Sequence, residues 1–360
     1  MTARGRFLLL AAAMAVAAGL FATPAAALSC SGSERLMSWP DENPVWEFCW
    51  LRPAQSSGSS GSGIELRNVY YNGHLVLKRA HIPILNVEYL PGGCGCFRDW
   101  MDGEVRFQSD NVLGPGYSEP TEPPVTVCDT GGSGGDVGSF EGVAAEKLAD
   151  ELILTSQTSA GWYRYIMKWK FHLDGTLEPF IGFAAVEDSC IAFTHKHHAY
   201  WRLDFDIDGP DNDVVTEGPN PAPGPDGRSG PRFPTVGLPT EALRKTNKAG
   251  ITWSIVDSTT HRGYRLVPGP ETALPADTFS VGDVWLLKYK ANEIDDGGQS
   301  GPPCAIKFNN FLTPPEGLST DLVFWYRTGA YHLGGDLDGC HEVGPTLVPI
   351  GDWSPDAARH

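Results

Sequence analysis

His195-Lys196-His197-His198-Ala199-Tyr200-Trp201-Arg202-Leu203-Asp204-Phe205-Asp206-Ile207-Asp208-Gly209 is the stretch whose period decides the fold. Aromatic and apolar residues alternate with polar ones every second position. That rhythm belongs to a strand, not to a helix. On a strand, residues i and i+2 face the same side. His195 and His197 therefore offer two imidazoles to one ion. Asp204, Asp206 and Asp208 have the opposite parity, so in a regular strand they face the other side. Imidazole suits Cu, Zn, Fe or Ni, and carboxylates suit Ca, Mg or Mn. The Asp-x-Asp-x-Asp-Gly run also opens like an EF-hand loop. Such a loop needs a bidentate Glu at its twelfth position, which here is Val215, and it needs flanking helices. The EF-hand reading is rejected, and a calcium-like site is retained.

The rest of the chain reads the same way. Glycine (42) and proline (29) are abundant, and no long helical apolar stripe is present. These features predict an all-β protein with many turns. Ile64–Tyr71, Asn72-Gly73 and His74–Lys78 predict a hairpin around a two-residue turn. Ala160–Gly175 predicts a second strong strand, with Tyr163, Tyr165, Met167, Trp169, Phe171 and Leu173 on its buried face. Ser56–Gly63 is a Gly/Ser run that reads as a flexible loop or linker. Gly218–Pro234 reads as an exposed loop.

The first residues set the compartment. A basic start (Arg4, Arg6), an apolar run from Phe7 to Ala22 and small residues up to Leu28 predict a cleaved secretory signal peptide over 1–27. No other stretch is apolar enough to cross a bilayer. The expectation is a secreted or periplasmic protein without a membrane span. Eight cysteines follow the leader, an even number that suits disulfides in an exported chain. Their pairing is not readable from spacing. The formal net charge is -17, which argues against nucleic acid as a partner.

His195-x-His197 followed by Arg202-Leu203-Asp204-x-Asp206-x-Asp208-Gly209 resembles the copper-ligand strand of the copper amine oxidases. The resemblance extends from about Ile64 to Trp353 and covers the family's catalytic β-domain. It implies a large antiparallel β-sandwich, a homodimer, and a domain layout of 28–63 as N-terminal segment with linker, 64–353 as catalytic domain and 354–360 as tail. In the family, a tyrosine is oxidised to topaquinone in an Asn-Tyr-Asp/Glu motif. Trp162-Tyr163-Arg164 stands in its place, so Tyr163 becomes the quinone precursor, with both neighbours changed. Tyr89 matches the tyrosine that hydrogen-bonds the quinone. Trp325-Tyr326-x-x-Gly329-x-x-His332 resembles the strand that delivers the third copper histidine, which nominates His332. Spacing alone does not select it among ten histidines.

The same resemblance implies a second, calcium-like site from the Asp204, Asp206 and Asp321 carboxylates with the Phe205 and Leu322 carbonyls. It also implies a Cys96–Cys128 bridge. The activity implied is oxidation of a primary amine by dioxygen to an aldehyde, with release of peroxide and ammonia. One part is not found. The family's catalytic aspartate follows the quinone-bonding tyrosine on a long segment, whereas here Tyr89 leads directly to Cys94-Gly95-Cys96. Asp99 and Asp102 come after the cysteines, in the wrong order, and the base role is carried to neither. Two alternatives stand beside the amine oxidase: a copper oxidase without a quinone, and a non-catalytic copper-binding protein on the same scaffold.

Overall fold

The computed structural model describes residues 28–90, 94–131, 135–186, 189–219, 235–245, 250–269, 279–298, 300–301, 306–334 and 340–355. The leader and most of the Gly218–Pro234 loop lie outside these residues. In chain order the strands begin with β1 (Arg35–Trp39), β2 (Trp46–Leu51), β3 (Glu65–Tyr71), β4 (His74–Leu90), β5 (Phe97–Asp99), β6 (Val112–Gly114) and β7 (Tyr117–Ser118). Next come β8 (Val143–Lys147), β9 (Glu151–Ala160), β10 (Tyr163–His172), β11 (Leu177–Ala185), β12 (Thr194–Phe205), β13 (Asp213–Pro219) and β14 (Val236–Gly237). The last are β15 (Ala242–Arg244), β16 (Ile251–Asp257), β17 (Gly263–Val267), β18 (Val284–Lys288), β19 (Leu322–His332), β20 (His341–Val343) and β21 (Thr346–Ile350).

Two sheets result. One runs β1-β2-β3-β4-β12-β19-β18-β15, with β5 added on β4. The other runs β14-β13-β16-β17-β21-β11-β10-β9-β8-β7-β6, with β20 on β11. Pairing is antiparallel except between β7 and β8. The sheets share one core, as a β-sandwich requires. Trp169 of β10 meets Trp201 of β12 with ring centroids 5.2 Å apart, and Phe48 of β2 stacks on Phe171 at 4.5 Å. Strand alternation assigns the faces. Ala199, Trp201, Leu203 and Phe205 enter this core, while Tyr200 joins a separate cluster on the outer face of the same strand.

The hairpin forms as the sequence predicts. Asn72 (φ 49°) and Gly73 (φ 80°) both take the left-handed conformation, as a type I′ turn needs. Four expectations are corrected. The Gly/Ser stretch 56–63 is a packed loop, not a linker. Ser57 N and Oγ donate to Glu65 Oε2 at 2.7 and 2.6 Å, and Met101 N donates to Ser60 O at 2.6 Å. Gly63 is required there, because its φ is +69° and a Cβ would lie 2.3 Å from Met167 Sδ. The sheet also starts before Ile64, since β1 and β2 pair with it and bury Trp46 and Trp50. Leu173 lies beyond the end of β10 and is exposed. Cys128 bonds to Cys340, not to Cys96, and Cys96 is in a disulfide of its own. The reason is topological: β20, just after Cys340, pairs with β11, so Cys340 reaches Gly182 together with Cys128. Cys30–Cys49 and Cys94–Cys190 are also joined. No helix among the described residues is long and apolar enough to cross a membrane.

Trp201 is fully buried at the meeting of the sheets. Its replacement by Ala is expected to destabilise the fold by about 3–5 kcal/mol, the usual cost of truncating a core tryptophan. The shift of the urea midpoint at constant slope measures it.

Candidate active site and metal centres

The site is a consequence of register. β12 lies between β4 and β19. His195 stands opposite Tyr89 on one side and opposite His332 on the other. Residues more than a hundred positions apart thus meet in one row. His197, two residues on, faces the same way. His195, His197 and His332 are all buried, and one nitrogen of each lies within 4.8 Å of the others.

The facing sheet supplies the tyrosine. Tyr163 is the first residue of β10 and is 1% exposed. Its hydroxyl contacts His195 Nε2 and lies 3.1 Å from His332 Nδ1. His195 Nδ1 donates to the Phe193 carbonyl at 2.8 Å, which leaves Nε2 as the nitrogen that faces the cluster. His197 Nε2 is buried with no hydrogen-bond partner. Burial holds the His197 imidazole well below its ordinary range, reinforced by the neighbouring histidines. Burial, with His195 and His341 nearby, lowers His332 to about 3. Both imidazoles are neutral at pH 7, the state in which they ligate a metal. Three buried imidazoles, two of them with a ring nitrogen that has no hydrogen-bond partner, are a donor set for a first-row transition ion. The competing histidines fall elsewhere. His198 faces outward against Arg327 NH1 at 3.1 Å, and His261 sits in an exposed turn. His341 packs against His332 at a tilt of 51°, with ring centroids 4.4 Å apart.

A residue passed over in the sequence joins this site. β5 folds back antiparallel on β4, pairing Phe97 with Val87 and Asp99 with Leu85. Alternation puts Phe97 and Asp99 on one face and Arg98 on the other. Arg98 is anchored by Asn86 at 2.7 Å and Asp296 at 2.6 Å. Asp99 points to the site, where it accepts a hydrogen bond from the Tyr165 hydroxyl. Burial raises its carboxyl from the ordinary 3.8 to about 7, although the Tyr165 bond opposes the rise. A cavity of about 170 Å³ opens here, lined by Tyr89, Phe97, Asp99, Trp100, Trp162 and Tyr163 with Ala160 and Gly161. Asp102 is exposed and lines none of it. The signal available in the sequence was the apolar-charged-acidic alternation Phe97-Arg98-Asp99 after Pro91-Gly92-Gly93. A larger cavity of about 490 Å³ lies at Asp213, Leu238 and Leu318, with no histidine in its wall.

The two changed neighbours of Tyr163 have distinct roles. Arg164 points away from the site and forms a paired contact with Asp136 at 2.6 and 2.9 Å, so its charge is neutralised outside. Trp162 donates from Nε1 to the Tyr89 hydroxyl at 2.8 Å and walls the cavity.

On the outer face, Asp204, Asp206 and Asp321 come together within the same 4.8 Å limit. Each has one buried carboxylate oxygen without a partner. Burial, with the neighbouring acids, raises Asp204 to about 6 and Asp206 to about 7, and Asp321 also rises. Phe205 and Leu322 are cross-strand partners between these acids. Asp208 is not in the group. It turns away at φ 57° and pairs with Arg262 at 2.7 Å and His74 at 3.2 Å.

Comparison with known proteins agrees with this geometry. Residues 179–338 match the family described as copper amine oxidase, enzyme domain. Over these residues the chain is similar to that enzyme domain. It is 25% identical over 241 residues to primary amine oxidase 2 of Arabidopsis thaliana, covering 55% of this chain and 35% of that protein. It is 27% identical over 240 residues to a copper methylamine oxidase of an Arthrobacter species, covering 54% of this chain and 36% of that one. The chain thus spans about a third of the length of these curated relatives. A copper-containing benzylamine oxidase from Hansenula polymorpha superposes with a TM-score of 0.54 at 13% identity, over 95% of this chain and 64% of that one. An Aspergillus nidulans amine oxidase gives 0.52 at 16% identity, over 87% of this chain and 52% of that one. These superpositions establish the copper amine oxidase sandwich as the fold.

His332→Ala is expected to weaken Cu(II) binding more than about 100-fold, beyond the effect of losing a supporting residue. Competitive titration against a copper chelator reads the change. Retention of tight binding would remove His332 from the ligand set.

Proposed function

We propose that this protein is an exported, copper-dependent primary-amine oxidase. The overall reaction is RCH2NH2 + O2 + H2O → RCHO + NH3 + H2O2. The observation that carries the reading is the Tyr163 hydroxyl set between two of three buried imidazoles, beside a cavity that contains a carboxylate. His195, His197 and His332 would hold copper, and Tyr163 would be the precursor of topaquinone. When present, copper and the quinone would supply the electrophile and the redox chemistry, with dioxygen as the oxidant.

The chain's own residues do the rest. The Tyr89 hydroxyl accepts from Trp162 Nε1 and so is fixed in orientation beside Tyr163. Asp99 lines the same cavity and is the group suited to take the substrate's α-proton. A carboxyl held near 7 accepts that proton more readily than an ordinary one. Aromatic rings surround the place of that transfer. The leader at 1–27 and the disulfides support export, and a homodimer belongs to the same reading.

The alternative keeps the copper and drops the quinone. Trp162 favours it, because a bulky ring bonded to Tyr89 narrows the space around Tyr163. Adding copper and air to metal-free protein separates the two. The oxidase gains mass on the Tyr163 peptide and a visible absorbance band. Copper bound beside an unmodified tyrosine would leave the non-quinone reading.

Asp99 carries a further expectation. Below about pH 7 its carboxyl already holds a proton and cannot accept another. kcat/KM should therefore rise with pH through about 7, and Asp99→Asn should lower it by about 10²–10⁴. The same shift acts on stability in the opposite sense. Between the ordinary carboxylate range and about 7, the folded state retains a proton that the unfolded chain has lost. Stability contributed by Asp99 therefore falls as pH rises through that window. Asp99→Asn should not lower Tm at pH 8, which distinguishes a lost base from a lost fold.

For the outer acids we propose a calcium ion held by Asp204, Asp206 and Asp321 with the Phe205 and Leu322 carbonyls. Hard carboxylate and carbonyl oxygens suit that ion. At calcium 100-fold above Kd the folded state should gain about 2.7 kcal/mol. Thermal melts with and without calcium measure it, and Asp206→Asn should abolish the difference.

A further inference from the structure

We infer that the cavity beside Tyr163 selects a primary monoamine with a flat aromatic group next to its aminomethyl carbon, and discriminates against diamines and polyamines. This inference rests on the amine oxidase reading above and concerns which amine the site takes.

The first argument is size. The cavity measures about 170 Å³. An apolar protein cavity of about 150 Å³ accepts benzene. One ring-sized group fits within the walls.

The second argument is the chemistry of those walls. Four aromatic side chains, Tyr89, Phe97, Trp100 and Trp162, line the space with Tyr163 at its end. They brace one another at steep angles. Phe97 meets Trp162 at 87° with centroids 5.6 Å apart, and meets Tyr89 at 85° and 5.9 Å. The polar edge of Trp162 is already used by the Tyr89 hydroxyl. What Trp162 offers a ligand is therefore its apolar ring. Aromatic ligands gain from such edge and face contacts beyond the area they bury.

The third argument is charge. Among the described residues lining the cavity, Asp99 is the one carboxylate. A single ammonium pairs with it. The second ammonium of a diamine meets aromatic walls and no second anion, and an unpaired buried charge is costly. Trp100, which is 44% exposed, stands at the mouth and can be changed without disturbing the core.

The test separates binding from turnover. In the copper-loaded Tyr163→Phe protein no quinone can form, so calorimetry reads binding alone. Benzylamine should bind at least about tenfold tighter than 1,4-diaminobutane. Trp162→Ala and Trp100→Ala should each erode that preference, and Trp162→Phe should retain most of it, with copper content and Tm monitored in each. Equal or tighter binding of the diamine would overturn the inference. Should the wild-type protein give no peroxide with any amine while Tyr163→Phe still discriminates, the oxidase reading fails and the selectivity stands. Should the wild type oxidise the diamine in preference, the selectivity fails and the oxidase reading stands.

Discussion

The register of β12 between its two neighbours is the constraint on which everything else depends. Tyr89, His195 and His332 stand directly opposite one another across three adjacent strands. A slip of one residue would turn His195 and His197 to the outer face and the acids to the inner one. Such a slip is opposed along the whole strand. Trp201, Leu203 and Phe205 are buried in the shared core, while Tyr200 and Arg202 are buried on the other side. Exchanging these two sets would place a guanidinium in the apolar core. The geometry of the histidine cluster is thus held by hydrophobic sorting over twelve residues rather than by the histidines themselves.

Local pattern made much of this legible. The period of His195–Gly209 and of Tyr163–Phe171, and the Asn72-Gly73 turn, are short-range signals, and the strands follow them. His332 is different. Its meeting with His195 is a pairing across 137 positions, which no local period encodes, and only likeness to a family nominated it. Asp99 failed for the opposite reason. Chain order relative to the cysteines argued against it, yet β5 returns antiparallel along β4 and restores the level of Tyr89 within a few residues. Order along a chain is a weak guide where a hairpin can reverse it. The Cys128–Cys340 bridge is likewise set by sheet topology, through the seating of β20 on β11.

The departures around Tyr163 become coherent once side chains are placed. Strand alternation sends Arg164 outward, where Asp136 answers its charge, so the reversal of sign does not reach the histidines. Trp162 lies at the turn before β10 and folds over the cavity instead. It exchanges room around the tyrosine for a rigid aromatic wall and a fixed Tyr89 hydroxyl. Trp162 therefore shapes the space next to Tyr163.

The two candidate metal centres place opposite demands on a single strand. The inner one gathers imidazoles that burial keeps neutral, so it tolerates a dry core without a cation. The outer one gathers carboxylates that burial and mutual repulsion push toward protonation. Arg202, itself buried, offsets part of that repulsion at 3.6 Å from Asp204. A cation there would relieve the remainder and favour the ionised form. The bulge that shifts the β12–β4 register between Asp204 and Phe205 lies at this point. Neutralising the acids would stabilise the end of the strand whose other end carries His195 and His197. The outer site is in this sense a clamp on register, and its value to the inner site is mechanical.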